Sequence, residues 1–348
     1  MPISENSNSW VSFCMSTYQR PVFLQKTLNS IASQTFRQFE VIISDNDPAR
    51  SAEPVVMAMK DKRFRYFQNN ENLGMIKSFN KSVELSVTEF VVVIADDDPI
   101  YPDMLEKLHN LYLKYPGYGV YHGGCDVMVV NPEMAKVMQK KVGINSCLAD
   151  RPMDAITTYS SEDFPLAFLN GNVLKYMLIS CGAVKKEIII KMGGLPDYGS
   201  PYLADIAFTL GTCSQEGVAV INRAVGTQVI HGNNFGFNKN YEAIYHSALG
   251  FLNFGENLFK IRTDCDKLKR KLRDFTGRWV VIYVHGILEY YPKNEIERPA
   301  LNRVLKKTFS IPGLGKWEFK YQIGIFSPQL LKKLVKLKLK FAPQKKPS

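Results

Sequence analysis

The stretch that most limits what this chain can become is Phe90-Val91-Val92-Val93-Ile94-Ala95, an apolar β run that stops at Asp96-Asp97-Asp98. Three adjacent carboxylates repel one another, so placing them directly after a buried strand calls for a cation, and a divalent metal is the simplest one. Pro99 closes the extended segment. Pro102 opens an amphipathic helix in which Met104, Leu105, Leu108, Leu111 and Tyr112 recur at helical spacing. Strand, acids and helix in that order put the acids at the carboxyl end of a strand, where open α/β sheets bind their ligands. The plainer explanation is an acidic loop that only starts a helix, because Asp is favourable near a helix N-terminus.

The segments before it repeat the design. A strand over 10–15 ends at Ser16-Thr17-Tyr18-Gln19-Arg20-Pro21, and a helix follows with Phe23, Leu24, Leu28 and Ile31 on one face. A second strand, 39–44, ends at Asp45-Asn46-Asp47; a helix over about 52–60 leads to a third at 64–67. The turn-rich Asn69-Asn70-Glu71-Asn72-Leu73-Gly74 then enters a helix through Ile76, Phe79 and Val83. Strands that are apolar throughout and alternate with helices predict an α/β fold: a Rossmann-like, doubly wound, mostly parallel sheet covered on both faces. Neither G-x-G-x-x-G nor G-x-x-x-x-G-K-S/T follows the first strand, which removes the usual dinucleotide and P-loop readings. The strand ends offer hydroxyls, a ring and acids instead. An aromatic face can stack on a base and a carboxylate can accept from a base N–H, leaving the phosphates to a metal.

Taken together, Val11 through Pro21, Gln34-Thr35-Phe36, Phe39 through Asp45, Asn69 through Gly74 and Asp96-Asp97-Asp98 resemble the family-2 glycosyltransferases of the GT-A fold, over about residues 10–125. The resemblance implies that Ser16 and Tyr18 lie at the nucleoside, that Asp45 binds the base, and that Lys77 lies near the base or phosphates. It makes the triplet a D-x-D-type site for manganese or magnesium on a sugar-nucleotide diphosphate, with Asp97 and Asp98 favoured as metal ligands and Asp96 kept with the donor-binding residues.

Beyond it, 118–130 reads as extended structure and 131–176 as an insertion of loops and short helices, the kind of graft that sets substrate choice. Next come Gly193-Gly194-Leu195-Pro196-Asp197 and Leu203-Ala204-Asp205-Ile206. These look like the family's second half, where a Gly-Gly turn and an acidic helix start carry the catalytic base. The family's Glu-Asp is Ala204-Asp205 here, so the base narrows to Asp205, with Asp197 in reserve; a helix-starting acid is the bland alternative. Two strands, 217–221 and 224–230, end at His231, which the resemblance places near metal and diphosphate. The implied chemistry is a single in-line displacement with inversion. The metal neutralises the departing diphosphate and Asp205 takes the acceptor's proton.

Charge divides the chain. From Lys260 to the end, 22 Lys and Arg face 7 Asp and Glu, 22 − 7 = +15; the first 259 residues hold 22 against 26, or −4, giving the net +11. A GT-A domain over 1–235 and a helical basic region over 236–348 are expected. In the segment 328–341, Leu and Lys alternate so that a helix would carry an apolar stripe beside a lysine face, suited to an anionic membrane surface. Nucleic acid fits less well, because no binding motif accompanies the charge. Apolar runs fall short of the ~20 residues needed to span a bilayer. The polar start has no basic n-region, and the six scattered cysteines form no C-x-x-C pair, which suits reduced thiols. The expectation is a cytoplasmic protein, peripheral at the inner face of a bacterial membrane, moving sugar from a nucleotide-diphosphate donor, UDP-sugar first among them, to a lipid-linked or oligosaccharide acceptor in surface-glycan (O-antigen or capsule) synthesis. The rivals are a non-catalytic glycan-binding or membrane-scaffold protein of the same fold and a sugar nucleotidyltransferase.

Overall fold

A computed structural model describes residues 9–131, 145–232, 234 and 240–326. The first three apolar runs form β1 (Val11–Thr17), β2 (Phe39–Asp45) and β3 (Phe64–Gln68), and the run before the aspartates forms β4 (Phe90–Ala95). Every residue of β1 and β2 is buried, as two-sided burial of parallel strands requires. Between them run α1 (Pro21–Ala32), α2 (Glu53–Ala58) and α3 (Met75–Leu85), and α4 (Met104–Lys114) follows β4. Leu24, Leu28 and Ile31 of α1 and Met104, Leu105 and Leu108 of α4 share one core with Phe13, Phe39, Val92 and Ile94. Each such side chain contributes about 1.5–3 kcal/mol by leaving water.

The sheet is completed by β5 (Val120–Val129), β6 (Ile156–Tyr159), β7 (Gly182–Lys185) and β8 (Val218–Ile230), in the order β3-β2-β1-β4-β7-β5-β8-β6. Pairing is parallel for β3-β2, β2-β1, β1-β4 and β5-β8 and antiparallel wherever β6 or β7 takes part, so the mostly parallel expectation stands. One element differs from the sequence reading. The two strands expected at 217–221 and 224–230 are one strand, β8, whose register against β5 jumps from Gly123↔Ile221 to Gly124↔Ala224. The two extra residues bulge, and Asn222 is spent on the insertion: its Nδ2 donates to the carbonyls of Leu148, Arg151 and Pro152, each at 3.1 Å, and its Oδ1 accepts from Leu148 N at 2.9 Å. Gly123 makes room for it, since a Cβ there would sit 2.6 Å from Val225 Cγ1.

The chain divides into two compact units, residues 1–197 with 203–234 and residues 198–202 with 235–348. The short stretch 198–202, which joins the second unit, left no mark in the sequence pattern. The first unit also holds α5 (Phe164–Leu169), α6 (Lys186–Lys191) and α7 (Ala204–Glu216). The second is helical: α8 (Tyr241–Leu258), α9 (Cys265–Tyr290), α10 (Arg298–Phe309) and α11 (Gly315–Phe326). Asn240 caps α8 by accepting from Ala243 N at 3.3 Å. Among the described residues no helix is long and apolar enough to cross a membrane. The segment 328–341 lies outside the described residues. All six cysteines are free thiols.

Candidate active site

Parallel register brings the carboxyl ends of three strands to one edge, with Thr17 beside Asp45 and Ser16 beside Ala95. There Asp45, Asp96, Asp97 and Asp98 are all buried, and the three consecutive acids turn to different partners. Asp96 points inward, where its Oδ2 accepts from Thr17 Oγ1 at 2.7 Å and its carboxylate pairs with Arg20. Its main-chain oxygen accepts from Thr27 Oγ1 of α1 at 3.0 Å. Asp98 turns to the sheet, and its Oδ2 accepts from Ser180 Oγ at 3.0 Å. Asp97 lies between them. Its Oδ2 accepts from Arg20 Nη1 at 2.7 Å, meets His231 Nε2 at 3.0 Å and accepts from Asn234 Nδ2 at 3.5 Å. No hydrogen bond or ion pair reaches its Oδ1 among the described residues.

Part of the expected counter-charge is therefore protein. Arg20, which the sequence reading gave no role, straddles Asp96 and Asp97, and the missed signal is that it is the only cation in the loop after β1. Burial pulls the guanidinium down, yet the two acids hold it above its ordinary value. Burial pushes Asp96 up, more than Arg20 pulls it down. The two shifts oppose each other across one contact. Arginine keeps its proton throughout the accessible range, so the acid is the member whose charge responds. Burial, reinforced by Asp97, raises Asp98 well above the carboxylate range.

This donor set fits manganese or magnesium in one particular way. Such ions are commonly held by one or two carboxylates, with phosphate oxygens and water filling the remaining positions. Asp97 Oδ1 is a hard oxygen available for that role. Among the described residues no group of three His, Cys, Asp or Glu side chains forms a protein cage. Of the expected Asp97 and Asp98 pair, Asp97 has an oxygen without a protein partner among the described residues, while one oxygen of Asp98 accepts from Ser180. His231 faces the same carboxylate as Arg20, with its ring stacked on Phe23 at 4.2 Å and 26°.

The expected donor residues fall around this edge. Ser16 is buried at the end of β1 and Tyr18 is exposed in the loop beyond it. Asp45 is fully buried, its Oδ1 accepting from Asp47 N and its Oδ2 from the Tyr66 hydroxyl, both at 2.9 Å. Burial and Asp45 together push the Tyr66 phenol up, so it stays a donor. Lys77 is exposed in the first turn of α3. The loop before it is latched to β2 through Asn46, whose Oδ1 accepts from Asn69 Nδ2 at 2.8 Å and whose Nδ2 donates to the Gly74 carbonyl at 3.1 Å.

Asp205 stands in the first turn of α7, behind Leu203, a non-glycine residue in the left-handed region at φ 64°. Its Oδ1 accepts from Ile206 N at 2.8 Å, the contact that the bland helix-start reading requires. The side chain keeps an open surface, while the protein around it holds its carboxyl above the ordinary range by desolvation. The Gly-Gly turn upstream is gripped by Asn80 of α3, which accepts from Leu195 N at 2.7 Å and donates to its carbonyl at 3.3 Å. Asp197 is exposed.

Residues 12–144 match the family described as Glycosyl transferase family 2. The chain carries a family-2 glycosyltransferase domain. It is 33% identical over 109 residues to an uncharacterized glycosyltransferase of Methanocaldococcus jannaschii, 30% of this chain and 38% of that protein. It is 26% identical over 164 residues to the GalNAc(5)-diNAcBac-PP-undecaprenol beta-1,3-glucosyltransferase of Campylobacter jejuni, 46% of this chain and 49% of that one. The chain thus spans no more than about half the length of these relatives. In three dimensions it is similar to S. aureus TarS 1-349 in complex with UDP-GlcNAc, with a TM-score of 0.59 and 15% identity over 90% of this chain and 92% of that one, a likeness of fold.

Proposed function

We propose that the protein is an inverting, metal-dependent glycosyltransferase. It moves a sugar from a nucleotide diphosphate, a UDP-sugar in the first instance, to a hydroxyl of a lipid-linked or polysaccharide acceptor in bacterial surface-glycan synthesis, working as a peripheral protein at the inner face of the cytoplasmic membrane. The observation that carries this reading is Asp97, whose Oδ1 has no hydrogen-bond or ion-pair partner among the described residues, at the ligand-binding edge of a family-2 domain. The acceptor class follows the Campylobacter relative, named for an undecaprenol-linked glycan, and the donor follows the UDP-GlcNAc bound by TarS.

Asp97 and the diphosphate would hold the divalent ion, with His231 and Arg20 fixing the orientation of the Asp97 carboxylate. Bound there, the ion supplies positive charge to a diphosphate leaving group. Tyr18 presents a face for the base, and Lys77 a positive charge at the mouth of the site. Asp205, with its raised carboxyl pKa, takes the acceptor proton as the hydroxyl attacks. The test is a panel of nucleotide sugars assayed for transfer or hydrolysis with and without manganese. Wild type turns over at least one donor in a metal-dependent way. Asp205→Asn keeps donor binding and loses turnover by roughly 10²-fold or more. Wild-type rates in purified Asp205→Asn would reassign the base.

A further inference from the structure

Far along the chain from these acids, the helical unit carries a cleft of about 660 Å³ lined by Lys267, Arg270, Lys271, Arg273, Asp274 and Lys316, with the Pro312-Gly313 turn as its far wall. Five cations face one acid. Arg273 pairs with Glu256, and Lys316 pairs with Asp274 at 2.5 Å. The other three, Lys267, Arg270 and Lys271, have no ion-pair partner among the described residues. Residues 327–348 contain no Asp or Glu, so they bring no acidic side chain to the cleft. Lys267, Arg270 and Lys271 stand at i, i+3 and i+4 on α9 and so share one face, where like charges oppose helix formation. A bound anion would reverse that repulsion. The far wall is fixed close to the helix: Gly313 has φ 88°, and a Cβ there would lie 2.4 Å from Arg273 Cδ.

We propose that this cleft binds the phosphate groups of an anionic bilayer, seating the helical unit on the membrane independently of the Leu-Lys segment at 328–341. The choice of a bilayer over a soluble phosphate rests on the apolar side chains nearby in sequence. Phe319 lies three residues beyond Lys316, hence on the same side of α11, and is 70% exposed; Ile261, in the loop leading into α9, is 95% exposed. Unpaired cations with exposed apolar groups suit the headgroup boundary, which accommodates both. The inference deepens the membrane placement in the proposed function, and its test reads no sugar transfer, so the two can fail separately.

The test is co-sedimentation of the full-length protein with vesicles of phosphatidylcholine alone and with phosphatidylglycerol added. At about 1 kcal/mol per cation, the triple variant Lys267→Gln, Arg270→Gln, Lys271→Gln lowers partitioning onto the anionic vesicles on the order of 100-fold and leaves the neutral ones unchanged. Lys267→Arg with Lys271→Arg binds as wild type. Should the triple variant lose its fold by circular dichroism, Lys267→Glu alone gives the same reading at about tenfold or more. Equal partitioning of wild type and a folded variant overturns the proposal. So does calorimetric binding of inorganic pyrophosphate to wild type without any binding to vesicles, which would make the cleft a site for soluble phosphates.

Discussion

Strands β1 and β2 bury polar groups at both ends, and the two ends treat them differently. At the amino end, Glu40 is closed on every side: Oε1 accepts from Ser12 Oγ at 2.6 Å and Val87 N at 3.2 Å, and Oε2 accepts from Arg65 Nη1 at 3.0 Å. Ser12 also meets Thr88 Oγ1 at 2.6 Å. About 17 Å along the same strands, at the carboxyl end, four buried acids gather, two of them raised by burial, and Arg20 is shared between two of them. Asp97 keeps an oxygen with no hydrogen bond or ion pair among the described residues. A completed network holds strands together. One that leaves an oxygen without a protein partner can take up a ligand there.

The comparison breaks if mutations at the two ends do the same thing. The largest effect belongs to the carboxyl end: Asp97→Ala is expected to lower transfer on the order of 10³-fold while the melting temperature stays near wild type, because Arg20 keeps Asp96 and both neighbouring acids lose a like charge, read by steady-state kinetics and thermal denaturation. Glu40→Gln, which breaks a buried pair, is expected to cost about 3 kcal/mol in urea denaturation and leave turnover per folded molecule unchanged.

His122 on β5 belongs with the structural group. Its Nδ1 lies 2.6 Å from Gly123 O and its Nε2 3.1 Å from Leu178 O. Burial pulls its pKa from 6.5 down to about 4. The folded state therefore binds this proton less readily than the unfolded chain. Its contribution is full above pH 6.5 and is lost as pH falls toward 4, by about 3 kcal/mol at most. Denaturation at pH 7 and pH 4.5 should show that slope flattened in His122→Gln. The smallest expected effect is Thr88→Val, about 1 kcal/mol of stability with no change in activity.

Much of this was legible from residue order. Apolar runs located β1, β2 and β4, because two-sided burial leaves few other places for such runs, and the acids that close β2 and β4 marked the edge they share. The four-residue β7 was not legible: Gly182–Lys185 is too short for periodicity, and its antiparallel seat between β4 and β5 is a tertiary fact. Nor was the continuity of β8, since Asn222 and Arg223 look like a turn until Asn222 is seen holding the insertion. At the site, the demand of Asp96-Asp97-Asp98 for positive charge was visible, but the part that Arg20 meets was not. Three neighbouring side chains on an irregular segment face directions that no sequence period encodes.

Calorimetric titration of UDP, GDP and dTDP into wild type and Asp97→Asn, each with and without manganese, tests the central claim most directly. At least one nucleotide should bind wild type only with the metal, and that binding should vanish in an equally stable Asp97→Asn. Nucleotide binding that ignores manganese, or survives intact in the variant, would contradict it.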